Sequence, residues 1–100
     1  MANEVSFHPL VAKDIRTAVE FYDRISFALG NRLRASVRSR FSDIRKQPEL
    51  FGRLHGNLRV AKTTRFPYVI LFSMNGDQVA VIGLFHAASD PRSWTVRANG

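Results

Sequence analysis

The chain has 100 residues, 45% of them hydrophobic, and a net charge of +7 that comes mostly from arginine. Its length sets one domain of modest stability, and its hydrophobic content argues against disorder. The absence of cysteine excludes disulfides, thiolate metal sites and cysteine nucleophiles.

In chain order, Glu4 to His8 alternates and reads as a short strand. Pro9 then starts a helix, because its missing N–H costs nothing in a first turn. The helix is expected to run to about Leu29, with Val11, Ile15, Ala18, Tyr22, Ile25 and Leu29 on one face at 3-4 spacing. Leu10, Phe21 and Ala28 form a flanking stripe, which serves either a wide core or a partner protein. Gly30-Asn31 fits a left-handed cap closing this helix. A second helix is expected from about Arg32 to Gln47, stopped by Pro48. Leu33, Val37, Phe41 and Ile44 mark its buried face. Arg34, Arg38 and Arg45 share another side and read as solvated, while the stem of Arg40 lies along the core edge.

Pro48 to Asn57 reads as a loop. Leu58 to Thr64 reads as a strand, with Leu58, Val60, Lys62 and Thr64 on one side. Arg59, Ala61, Thr63 and Arg65 follow the other side. A turn at Arg65-Phe66-Pro67 leads to two strands, Tyr68–Met74 and Gln78–His86, joined through Asn75-Gly76-Asp77. A polar tail follows with Asp90, Pro91, Arg92 and Trp94, and the residues after Trp94 read as frayed. The expected fold is α+β: a short N-terminal strand, then a two-helix hairpin packed on a largely antiparallel sheet with three C-terminal strands.

His8, His55 and His86 show no ligand spacing, so no metal or other cofactor is expected. The apolar runs YVILF and VAVIGLF are too short to span a bilayer, and the first residues lack a signal-peptide core. A cytoplasmic protein without membrane contact is expected. The positive charge alone leaves three readings open: nucleic acid, an acidic protein, or solubility. Neither a nucleophile elbow nor a phosphate-binding glycine loop is present.

Phe66-Pro67-Tyr68 at a strand start, the hairpin, and His86-x3-Asp90-Pro91-x2-Trp94 at its exit, all after a helical hairpin, resemble the ParE branch of the RelE/ParE toxins. The likeness runs from about Val5 to Trp94. It implies the toxin half of a type II toxin–antitoxin (plasmid stabilisation) system. It also implies DNA gyrase as target, an acidic ParD-like antitoxin wrapped on the toxin, and operator DNA met only through that antitoxin.

The alternative is a RelE-like ribosome-dependent mRNA endonuclease. Metal-free RNA cleavage needs a base for the 2′-hydroxyl, an acid for the leaving oxygen and cations for the phosphorane. The available set is Arg59, Lys62, Arg65 and His86. Alternation puts Lys62 opposite Arg59 and Arg65, and no tyrosine follows His86, so a docking toxin without catalytic residues is expected. Arg59, Arg65, His86, Asp90, Pro91, Arg92 and Trp94 are the expected target-binding residues, with Trp94 as the exposed anchor. Their bland readings are a ring closing the sheet end, an aromatic covering the sheet edge, and surface pairs worth about 0–1 kcal/mol each. The antitoxin is expected at Leu10 and Phe21, with Arg16 and Arg24 as basic margin. A degenerate member that only binds its antitoxin is a third reading.

Overall fold

The computed structural model describes residues 3–99. Strand β1 (Glu4–Phe7) leads into helices α1 (Val11–Asp23) and α2 (Phe27–Lys46). A 3-10 turn at Pro48–Leu50 precedes β2 (Gly52–His55), β3 (Leu58–Lys62), β4 (Tyr68–Asn75) and β5 (Gln78–His86), and helix α3 (Pro91–Asn99) follows. The five strands form one sheet in the order β1-β5-β4-β3-β2. Short turns make β2 to β5 an antiparallel meander, while β1 returns beside β5 in parallel. Asn75 pairs with Gln78, so Gly76 and Asp77 are the whole loop of the central hairpin. Gly76 supplies the positive φ, 61°, that such a tight loop requires.

The sheet is covered on both faces. On one, Val19, Leu33 and Ile44 of the helical hairpin meet Ile70, Phe72 and Val81. On the other, Trp94 of α3 packs with Leu58, Val69, Leu71 and Ile82. Two-sided burial explains why β4 and β5 read as continuous apolar runs rather than as alternation. A bulge between Leu71 and Phe72 shifts the β4–β5 register at the centre of the sheet.

Three expectations need correction. The first helix ends at Asp23, not near Leu29, and Gly30 lies inside α2. Ser26, in extended backbone, caps α2 by accepting the Leu29 N–H at 3.1 Å. Gly30 is buried, and a Cβ there would overlap the Asp23 carboxylate, so it makes room for that side chain rather than forming a left-handed cap. Ile25, placed in the core stripe by periodicity, is consequently exposed at the hairpin corner.

Second, the expected loop from Pro48 to Asn57 contains a strand, so four strands rather than three follow the helices. All four β2 residues are exposed, and no hydrophobic alternation announced them. Third, the tail expected to fray is helix α3 through Asn99; Gly100 lies outside the described residues. Asp90 accepts the Arg92 N–H at 2.9 Å, and Pro91 opens the helix.

The far end of α3 is tied to α1. Arg97 donates through both terminal nitrogens to the Asp14 carboxylate, with Nη2–Oδ1 at 3.2 Å. The Leu84 N–H also donates to Asp14 Oδ2, at 3.1 Å. The guanidinium crosses beside Gly83, where a Cβ would stand 2.5 Å from Arg97 Nη1. Two helices on opposite faces of the sheet are thereby joined through one ion pair.

Candidate docking cavity and the basic residues

An open cavity of about 590 Å³ lies between α1 and the exit of the central hairpin. Leu10, Thr17, Phe21 and Tyr22 line its helical wall, and Tyr68, Leu84 and His86 line its sheet wall. Leu10 and Phe21 are 42% and 54% exposed, although both side chains are large and apolar. The first-helix stripe therefore divides as periodicity allowed: Val11, Ala18 and Val19 fill the core, while Leu10 and Phe21 face outward. An aromatic cluster stiffens the wall. Phe21 and Phe66 both meet Tyr22 edge-on at 5.1 Å, and Tyr68 meets His86 at 5.4 Å. Burial, with Tyr22 nearby, raises the Tyr68 pKa above its ordinary value, so its phenol stays a neutral hydrogen-bonding group. Lys13, Asp14 and Arg97 supply charge at the rim.

His86 belongs to this cavity. Its Nδ1 accepts the Ala88 N–H at 3.1 Å, which engages that ring nitrogen within the turn. Its own carbonyl accepts the Ser89 amide at 2.9 Å, which begins the turn into α3.

The four residues considered for RNA cleavage do not meet. Arg59 is turned to the helical face, where Nη1 donates to the carbonyls of Phe51 (2.7 Å) and Glu49 (3.2 Å) and staples the 3-10 turn. Lys62 is exposed and pairs in register with Val69 and, beyond it, Phe85, both packed on the α3 face. His86 pairs with Tyr68, which packs on the helical face. Lys62 and His86 therefore point to opposite faces of the sheet. Arg65 sits apart in the β3–β4 turn with a positive φ of 71°.

The expected target-docking group is likewise dispersed. Asp90 and Arg92 form an exposed pair (2.7 Å) at the start of α3, and the Arg92 hydrogen bonds lower the Asp90 pKa. Trp94 is only 6% exposed. It stacks on Phe85 at 5.7 Å and donates Nε1–H to Ser89 Oγ at 2.8 Å. Trp94 therefore packs on the sheet and is not the exposed side chain expected of an anchor. Of the residues expected at the antitoxin, Leu10 and Phe21 line one cavity; Arg16 and Arg24 are exposed but outside its lining. Among the cavity residues that sequence reasoning missed, Asp14 and Arg97 lie 83 positions apart and carried no local signal. Gly83 was the one hint, since a glycine inside a strand often marks a close approach.

The site is an open, largely apolar concavity between α1 and the sheet, and no acid–base set is assembled among the described residues. Solved structures share the fold around it. A structure of the chromosomal ParDE TA system from P. aeruginosa aligns with a TM-score of 0.74 at 11% identity, covering 85% of this chain and 96% of that one. The E. coli toxin RelE, as a mutant in the free state, aligns at 0.69 and 21% identity, covering 98% of both chains. The toxin–antitoxin complex RelBE2 from Mycobacterium tuberculosis aligns at 0.59 and 20% identity, covering 86% and 99%. No protein-family model matches the chain, nor does any curated protein. The chain has the RelE/ParE-type toxin fold. No helix among the described residues is long and apolar enough to cross a membrane.

Proposed function

We propose that this chain is the toxin of a type II toxin–antitoxin pair, that it acts in a ParE-like manner by docking on DNA gyrase, and that an acidic, ParD-like antitoxin neutralises it. The observation that carries the reading is the toxin fold combined with the separation of Lys62 and His86 onto opposite sheet faces. Phosphodiester cleavage needs a base, an acid and cations around one phosphate. Here Arg59 is committed to backbone carbonyls and His86 Nδ1 is engaged by the Ala88 N–H. A docking toxin needs only surface, because the catalysis belongs to its target.

The antitoxin reading rests on the cavity beside Leu10, Phe21 and Tyr22. An amphipathic segment seats its apolar side in such a groove and keeps its acidic side toward basic margins, here Lys13 at the cavity and the exposed Arg16 and Arg24 beside it on α1 and its C-terminal end. Expression of the chain alone should arrest bacterial growth, and its antitoxin should restore it. Arrest should come with filamentation and the DNA-damage response while translated mRNA stays intact. Rapid cleavage of translated mRNA, lost on Arg65→Ala or His86→Ala, would replace this reading with the RelE-like one. Normal growth with folded protein would leave only antitoxin binding.

A further inference from the structure

The positive charge of this molecule is concentrated on one helix. Helix α2 carries Arg32, Arg34, Arg38, Arg40, Arg45 and Lys46 against the single acid Asp43, a net +5 out of the chain's +7. Two of the six cations are engaged. Arg40 pairs with Asp43 at 3.1 Å and donates to the Lys62 carbonyl, and Arg34 reaches Asn31 and, at 3.9 Å, Asp23. Arg32, Arg38, Arg45 and Lys46 are exposed, and among the described residues none has a carboxylate within 4.0 Å. Like charges one turn apart, as at Arg34 and Arg38, oppose helix formation, and the first turn has no acid to offset them. The helix dipole favours Arg45 and Lys46 in the last turn, but helix stability does not account for Arg32 and Arg38.

The shape of the face narrows the partner. Helical spacing sets the small exposed residues Ala35, Ser39 and Ser42 along the outward side, with Arg38 and Arg45 on one flank and Arg32 on the other. A groove of about 460 Å³ runs from this flank to the β3–β4 turn, lined by Arg32, Ser39, Thr64, Arg65 and Phe66 and by no carboxylate. Arg65 is the only non-glycine residue with positive φ among those described. Thr63 holds that turn, donating Oγ1–H to the Phe66 carbonyl at 3.0 Å and its amide to Tyr68 at 3.0 Å. The held backbone sets Arg65 into the same groove as Arg32. Strained backbone of this kind persists where surrounding structure enforces it, commonly at ligand clamps.

We propose that the outward face of α2 and the β3–β4 turn dock on the phosphate backbone of duplex DNA. An acidic amphipathic peptide would need exposed apolar anchors; Leu29 and Phe66 in this groove are half-buried, whereas the exposed Leu10 and Phe21 lie on the α1 cavity. Arginine outnumbers lysine five to one on α2, and its planar fork suits phosphate oxygens. A bare helix with small outward residues and arginines on both flanks matches the B-form major groove, about 12 Å wide, and not the narrow A-form groove of RNA. Contacts of this type fix position without reading sequence. This direct contact adds to the one expected through an antitoxin, and it does not depend on the toxin reading.

The test is fluorescence anisotropy of the purified chain with a labelled 20-base-pair DNA, titrated between 50 and 200 mM salt. Five phosphate contacts, from Arg32, Arg38, Arg45, Lys46 and Arg65, give a slope of log K against log salt near about −4.5. The variant Arg32→Gln/Arg38→Gln/Arg45→Gln should lose about 3 of that slope and bind at least roughly tenfold more weakly at 100 mM salt, with an unchanged melt. The control Arg16→Gln/Arg53→Gln/Arg92→Gln removes equal charge elsewhere and should leave the slope nearly intact. If the first variant does not fold, the single exchanges Arg38→Gln and Arg65→Gln decide, each expected to lower the slope by about 1. Equal losses from both triple variants, no DNA binding at 50 mM salt, or equally tight binding of duplex RNA would overturn the proposal. Binding of an acidic peptide that is lost with the α2 arginines, without DNA binding, would make this face a protein surface.

Discussion

Replacing Trp94 with alanine removes the side chain that closes the α3 face of the sheet. Trp94 is 6% exposed, sits among Leu58, Val69, Leu71 and Ile82, and stacks on Phe85 with an interplanar angle of 22°. Truncating a buried tryptophan costs about 3–5 kcal/mol, as transfer free energy plus the cavity left behind. A domain of this length has about 5–15 kcal/mol of stability in all, so about a fifth or more would go. The melting temperature should fall by roughly 12–40 °C, at about 4–8 °C per kcal/mol for this size. Trp94→Phe keeps the stack but loses the 2.8 Å bond to Ser89, and should cost only about 1 kcal/mol beyond small packing losses. Circular dichroism melts and urea titrations of the three proteins measure all of this. A Trp94→Ala protein melting within about 3 °C of its parent would refute the packing role on these scales. It would return Trp94 to the docking surface.

Phe21→Asp should weaken antitoxin binding by roughly 30-fold or more, as loss of an interface anchor does, while the melt stays put because Phe21 is largely exposed; calorimetric titration checks both. Asp14→Asn leaves Arg97 without its carboxylate and should cost about 3 kcal/mol in urea unfolding, and much of that loss should vanish in a background that also carries Arg97→Met. Gly83→Ala should cost about 1–3 kcal/mol through overlap with Arg97 and Phe85, measured the same way. For Asp90 the folded pKa lies below the unfolded value near 3.8, so its cap on α3 is fully formed above that pH and fades as pH falls through the lower folded value. The Arg92 amide shift, followed by NMR, should titrate with a midpoint below 3.8.

Much of the architecture was legible because the signals were local. Gly76 and the β-branched runs beside it fixed the central hairpin, and 3-4 spacing gave the core faces of α1 and α2. What failed was also local, but ambiguous. Gly30 was read as a boundary, but it packs against Asp23 inside α2, and the Leu29 N–H bond makes Ser26 the cap. Asp90-Pro91 is a cap followed by a first-turn proline, yet so polar a tail offered no apolar stripe beyond Trp94. The site was less legible than the fold. Period-2 alternation correctly separated Lys62 from Arg59, but the bonds that tie Arg59 to Phe51 and Glu49 come from chain folding back. Leu10 and Phe21 stood out as a second stripe; Tyr68 and His86 joined them only through the β4–β5 register.

The Asp14–Arg97 pair has a bearing on solubility. Strand β1 pairs with β5 only from Gln78 to Val81, so the outer edge of β5 beyond that point has no neighbouring strand. Bare strand edges recruit other chains, and natural proteins block them with inward-pointing charge. Here Asp14 occupies the Leu84 N–H, and Arg97 Nη1 approaches the Ile82 carbonyl at 3.4 Å. Two residues from opposite ends of the chain occupy hydrogen-bonding positions that an incoming strand would use. Neutralising either would expose an apolar, β-prone edge, Ile82-Gly83-Leu84-Phe85, at the molecular surface. The first visible consequence of losing the pair would then be self-association at high protein concentration, ahead of any loss of fold.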